Sequence, residues 1–286
     1  MRVRLKLVAG LRRAFGLYHP GRNLEVYPDD TFVISYPKSG NTWTRFLVAN
    51  LAYPDTPADF SNINTLIPDP ESLSKRELAR SPRPRILKSH TYFDPRFPRI
   101  LYIVRDPRDV AVSEYHFHRK RRLVPDDYPI AQHVTNFVAG KTTQYASWGE
   151  NVIGWLMTRG HRPGFLLLRY EDLLADAFSE VKKMEHFLGL PPSDARVRQA
   201  IERSSSERMR ELEKTQALTW SSIKETRQDI PFVRTARAGN WRTDLPESAV
   251  AEIENAWGPL MTWLGYDLAL PASPRIDRRL QEIGVR

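Results

Sequence analysis

Residues 31–51 read TFVISYPKSGNTWTRFLVANL, and they fall into three parts. Thr31 to Tyr36 is β-branched and aromatic, the composition of a short buried strand. Pro37-Lys38-Ser39-Gly40-Asn41 is a turn. From Thr42 to Leu51, Trp43, Phe46, Leu47 and Leu51 recur at helical spacing. A strand that turns tightly into a helix leaves backbone N–H groups unpaired and aimed at one spot, where the helix dipole favours negative charge. Gly40 lets the backbone approach a ligand closely. Lys38 adds a mobile cation, and Ser39 and Thr42 add hydroxyls. The stretch predicts an anion cradle, with phosphate as the expected anion.

Working outward, the chain of 286 residues is 41% hydrophobic, enough for one large α/β domain with a proper core. Its 43 Lys and Arg outnumber its 34 Asp and Glu, which points to an anionic ligand, a nucleic acid or an anionic membrane surface. There is no cysteine, which excludes disulfides, thiolate metal sites and a cysteine nucleophile. That fits a reducing compartment, and the cytoplasm is the expected location. No apolar run is long enough to span a bilayer. Residues 1–25 are basic. Val3, Leu7, Leu11, Ala14 and Phe15 could share one helix face there, either as an ordinary packed or frayed end or as a weak contact with a membrane surface.

Further along, residues 52–85 read as a proline-rich loop with one short helix in 71–80. Residues 85–90 (RILKSH) and 99–105 (RILYIVR) are strands. Asp106-Pro107 then starts a helix, with Asp as N-cap and Pro in the first turn. Residues 124–140 read as loop-rich, and 147–158 as a helix. Residues 165–170 (FLLLRY) form a fourth strand. One amphipathic helix is expected from Leu174 to Leu188, and a shorter one over 193–203. Residues 204–244 look irregular. A final helix carries Val250, Ile253, Trp257, Leu260 and Leu264, with a kink expected at Gly258-Pro259. Apolar strands alternating with helices predict a single P-loop-like α/β domain over 1–286, its central parallel sheet flanked by helices on both faces, ending in a tail at 271–286. Ligands of such sheets sit beyond the strands' C-terminal ends, where Lys38, His90, Arg105 and Tyr170 all fall.

A nucleotide kinase or phosphotransferase is one reading of such a site. The phosphate loop of those enzymes has a leading Gly and a Lys just before the helix. Here the leading Gly is missing, Lys38 precedes Gly40, and Asp106 looks like a cap rather than a metal ligand. A non-catalytic nucleotide-binding module would use the same cradle.

Five elements, in order, resemble those of sulfotransferases that use 3′-phosphoadenosine 5′-phosphosulfate (PAPS). YPKSGNTW at 36–43 is similar to that family's YPKSGTTW, LKSH at 87–90 to its KTH element, and IVRDPRDVAVSEYHF at 103–117 to RNPRDVAVSYYHF. LRYEDL at 168–173 is similar to FYEDM, and FVRTARAGNWR at 232–242 is a weaker version of RKGxxGDWK. The match runs from about Thr31 to Leu264. It implies transfer of a sulfuryl group to a hydroxyl or amine, with PAP as the other product and no metal. On this resemblance His90 is the general base. Lys38, Ser39, Gly40, Asn41 and Thr42 hold the 5′-phosphosulfate end, and Trp43 is an adenine stacker or a core residue. Arg105 and Ser113 bind the 3′-phosphate, and Tyr170 lies by the adenine.

The residue types fit that chemistry independently. A neutral imidazole suits proton abstraction near neutral pH. Lys38 can neutralise charge growing on the leaving phosphate, and Lys88 is a further candidate for the sulfuryl oxygens. The chain departs from the family at Asn41, and at Arg234-Thr235-Ala236, where Arg234 is the expected second 3′-phosphate ligand. Ser204-Ser205-Ser206 resembles a family contact region and places Ser205 near the nucleotide. Phe60, Tyr92, Phe93, Phe137 and Tyr145 suggest an aromatic acceptor site for a phenol, sugar or lipid head group, and no nucleic-acid partner is expected. His116 and His118 lie two apart with no evident third ligand, so no metal site is expected.

Overall fold

The computed structural model describes residues 24–269 apart from Ser72, Ser74, Ala217, Ser221 and Ser222. The expected N-terminal helix face and the C-terminal tail lie outside the described residues. In chain order the elements are β1 (Thr31–Ser35), α1 (Asn41–Ala52), α2 (Ile63–Leu66), α3 (Lys75–Ala79), β2 (Ile86–Ser89), β3 (Arg99–Val104) and α4 (Pro107–Lys120). They continue with α5 (Ile130–Val138), α6 (Trp148–Arg159), β4 (Phe165–Arg169), α7 (Tyr170–Ala175), α8 (Ala177–Leu188) and α9 (Asp194–Arg203). The last are α10 (Ser206–Gln216), α11 (Trp241–Asp244) and α12 (Glu247–Trp263).

Among the described residues the strands form one parallel sheet in the order β2-β1-β3-β4. Because side chains alternate along a strand, a strand buried on both faces feeds two cores. Phe32 and Ile34 of β1 and Ile100, Tyr102 and Val104 of β3 enter one core, with α4, α5, α6 and α12. Val33, Leu101 and Ile103 enter the other, with α1, α8, α9 and α10. The sheet is thus covered on both sides, as expected. No described helix is long and apolar enough to cross a membrane.

Several local expectations differ from the structure, each for a physical reason. The Leu174–Leu188 run is two helices. Asp176 leaves helical geometry and its side chain caps α8 by accepting the Ser179 N–H (3.1 Å). Apolar spacing continues across this break and hides it. Residues 130–138 are helical, with Val134 and Phe137 buried on one face. Residues 206–216 are also helical, but only Met209, Leu212 and Glu213 are buried there, too thin a stripe to stand out from its charged background. Helix α12 runs through Pro259. Ile253, Gly258 and Met261 press it to the core on either side of the proline.

Candidate active site

The β1–α1 turn is built as an open end. Lys38 and Gly40 both have positive φ, 67° and 97°. Gly40 is the N-cap of α1, no side chain caps the helix, and no acid lies in its first turn. The positive end of the helix dipole is therefore not neutralised locally. A Cβ on Gly40 would stand 2.5 Å from Cδ2 of Tyr170, so only glycine lets the turn lie against that ring. Ser39 is fully buried and its hydroxyl has no hydrogen-bond partner. Thr42 lies partly buried in the first turn of α1.

Three cations converge here. The ammonium of Lys38 lies over the rings of Phe117 (4.0 Å) and Phe232 (4.6 Å). Burial and the charges of Arg105 and Arg234 push its pKa down to about 7. Arg105 follows β3 and lies over Tyr170 at 4.2 Å from the ring centre. It donates to the Arg237 carbonyl (3.0 Å) and, at 3.4 Å, to the Lys38 carbonyl. Its nearest carboxylate, Asp109, is 4.0 Å away. Burial lowers the pKa of Arg234, and repulsion from Arg105 adds to that. Arg234 has Asp244 at 3.7 Å. Three guanidinium or ammonium groups that repel one another fit a site for a multiply charged anion.

Ser113 is partly buried on α4, one turn from both Asp109 and Phe117. Asp109 approaches Arg105 and Phe117 lies under Lys38, so Ser113 belongs to the face between them. Trp43 packs on the edge of the second core. It is partly exposed, donates from Nε1 to the Ser204 carbonyl (2.9 Å) and meets Tyr170 edge-on. Ser205 adjoins this contact, but its hydroxyl accepts the Arg208 N–H (3.2 Å) near the start of α10. Asn41 turns inward and donates to the Val33 carbonyl (3.3 Å), which ties the turn to β1.

His90 lies just beyond β2, beside the end of its neighbour β1. Its Nδ1 is 2.8 Å from the Ser35 carbonyl oxygen. A carbonyl only accepts, so Nδ1 carries the proton and Nε2 keeps its lone pair. Desolvation, then the Lys88 charge, push the His90 pKa down to about 3, and the ring is neutral at physiological pH. Lys88 itself is ion-paired to Asp69 at 2.8 Å, with both groups mostly buried. Its ammonium is therefore held by a carboxylate rather than presented alone.

The expected aromatic lining is corrected. Phe60 and Phe137 are core residues, and Phe93 packs on Trp155. Tyr92 is 45% exposed. Only Tyr145 of that set stands beside His90, ring centres 5.5 Å apart. Phe117 and Phe232, which flank Lys38, went unread, although Phe117 lies within a motif already singled out. Asp109 was also missed. It accepts the N–H groups of Gly239 (2.6 Å) and Trp241 (3.1 Å), and so holds the 237–241 segment against Arg105.

Sulfotransferase domains match residues 28–265 of this chain. The chain belongs to the sulfotransferase family. The resemblance to PAPS-dependent members read from five short elements is thereby borne out over most of the chain. This sulfotransferase is similar to Sulfotransferase 1C2 of Oryctolagus cuniculus, 26% identical over 87% of this chain and 88% of that protein. It is similar to Sulfotransferase 1A1 of Bos taurus at 30% identity, over 78% of this chain and 80% of that one. Its fold resembles that of a retinol dehydratase solved in complex with androsterone and the inactive cofactor PAP. That match has a TM-score of 0.68 at 23% identity, and covers 88% of this chain and 85% of the other.

Proposed function

We propose that this sulfotransferase moves the sulfuryl group of PAPS to a hydroxyl or amine of a small acceptor, with His90 as general base and no metal in the transfer step. The observation that carries this reading is the convergence of Lys38, Arg105 and Arg234 on the uncapped start of α1. PAPS has two anionic ends and supplies the activated sulfuryl group. The Lys38–Trp43 turn, with its dipole and the orphan Ser39 hydroxyl, suits the 5′ end. Arg105, Ser113 and Arg234 suit the 3′-phosphate. Tyr170 and Trp43 suit the adenine. Lys38 would offset charge developing on the leaving phosphate. His90 Nε2, unprotonated by the tautomer argument, would take the acceptor's proton.

Because Asp69 holds Lys88, that lysine would act through the electrostatics of the His90 pocket more than as a ligand of the sulfuryl group. A retinol dehydratase of this fold is known with androsterone and PAP together, which supports a small-molecule acceptor. Tyr145, Phe117 and Phe232 favour a flat or aromatic one, such as a phenol, over a sugar or lipid head group. The whole matched region acts as one catalytic unit in this reading.

Incubation with PAPS and a pooled acceptor panel, without added metal, should yield adenosine 3′,5′-bisphosphate and a sulfated product. Turnover with ATP and Mg²⁺ instead would make it a kinase. Tight PAP binding with no turnover on any acceptor would make it a binding module. In His90→Ala, kcat should fall by about 10²–10⁴-fold while PAP affinity stays the same, and near-normal turnover would remove His90 from the mechanism.

A further inference from the structure

Beside the Lys38 pocket lies a second cluster that the transfer chemistry does not use. Glu114 and His118 are one turn apart on α4, and His133 comes from α5. Both imidazole Nε2 atoms stand 3.8 Å from Glu114 Oε1, and one ligand atom from each residue lies within 4.8 Å of the other two. Glu114 and His133 are each 1% exposed. Neither carboxylate oxygen of Glu114 has a hydrogen-bond partner in bonding geometry, and nor does His133 Nε2. The Thr142 hydroxyl, also without such a partner, lies close by.

We propose that Glu114, His118 and His133 bind a divalent transition-metal ion of the zinc class, which pins α4 to α5. A buried carboxylate whose oxygens make no hydrogen bond in bonding geometry is costly, and two imidazole nitrogens beside it cannot offset its charge while neutral. A metal ion removes both problems at once. Two histidines and a carboxylate, with one open position, form a donor set that zinc takes readily, and harder ions such as Mg²⁺ take poorly. The imidazole nitrogens need to close on the Glu114 oxygen by only a fraction of an ångström, and on each other from within 4.8 Å. In a tetrahedral site with metal–ligand bonds of about 2.0–2.2 Å, the ligand atoms would stand roughly 3.3–3.5 Å apart. His118 is the exposed edge of the cluster, its side chain 13% accessible, which provides an entry path and a place for a water ligand.

The site pins the two helices on either side of the 121–129 connection. Phe117, under Lys38, lies between two of its ligands in sequence. The proposal concerns a structural ion and does not rest on the transfer mechanism, so its test needs no turnover. Protein stripped with a chelator and desalted would be titrated with Co²⁺, then with Zn²⁺ in competition, and followed by visible absorption and thermal melting. One equivalent of Co²⁺ should give an intense low-coordinate spectrum, displaced by Zn²⁺, with a rise in Tm. His118→Gln, at the accessible edge, and Glu114→Gln should each weaken binding by about 100-fold or more. Melting of the metal-free variants would establish that they fold. Absence of stoichiometric binding in the wild-type protein would overturn the proposal, as would equal affinity in folded His118→Gln.

Discussion

Two strand-to-helix turns lie side by side in the sheet and are built in opposite ways. At β3–α4, Asp106 caps the helix by accepting the Arg108 N–H (2.9 Å) and also binds the Arg108 guanidinium through both oxygens. Arg108 further bonds Glu254 (2.5 Å) and the Asp267 carbonyl (2.9 Å), and stacks on Trp241. Apart from Arg105, which reaches across to the Lys38 carbonyl, donors and charges there are met from within the protein. At β1–α1 the helix start has no cap and no acid, a serine hydroxyl is orphaned, and Lys38 rests on aromatic rings. Such an arrangement raises the free energy of the empty protein and lowers it again when an anion arrives. The closed turn holds the C-terminal helix in place, and the open one is left for a ligand.

Substitutions should separate the two roles. The largest effect is expected for Arg108→Ala, which leaves Asp106 and Glu254 as buried carboxylates without their shared cation. A loss of about 3–5 kcal/mol in urea unfolding is expected, with PAP affinity of the folded fraction unchanged. Arg105→Ala, three residues earlier, should do the reverse. It removes a cation that lacks a close carboxylate, so stability should change little. PAP affinity measured by calorimetry should fall by roughly 1.5–3 kcal/mol, the worth of a hydrogen bond to a charged group. A strongly destabilised Arg105→Ala with intact affinity would erase the contrast between the turns.

The smallest effect is a pH dependence of the open turn. In the free protein the Lys38 pKa is held near 7, chiefly by burial and by Arg105. A bound dianion favours the ammonium, so binding raises the pKa and takes up a proton. PAP affinity should therefore be level below about pH 7 and decline above it, by up to tenfold per pH unit until the pKa of the complex is reached. In Lys38→Met this slope should vanish. The His90 ring, already neutral at these values, should not contribute.

Much of this was readable in one dimension. The Asp106-Pro107 start, the Gly40 turn, and the positions of Lys38, His90 and Arg105 at strand ends follow from local rules, because strand composition, turn residues and caps act over a few positions. What local rules missed was decided by partners far along the chain. Lys88 looked free until Asp69 met it across the preceding loop. Phe60 and Phe137 looked like pocket lining but are needed in the two cores. The cluster around His118 was hidden because α5, in a segment read as loop, brings His133 beside Glu114 from fifteen positions downstream of His118.

The sequence by itself determined the parallel α/β architecture, the cradle at residues 37–42 and the set of residues that gather at the strand ends. Its apolar periodicity and turn chemistry leave few other ways to bury the strands. Tertiary structure alone decided which cations stay uncompensated, which tautomer His90 adopts and which aromatic rings face the site. Charge pairing, proton placement and burial depend on what stands within a few ångströms, and in a folded chain those neighbours are mostly remote in sequence.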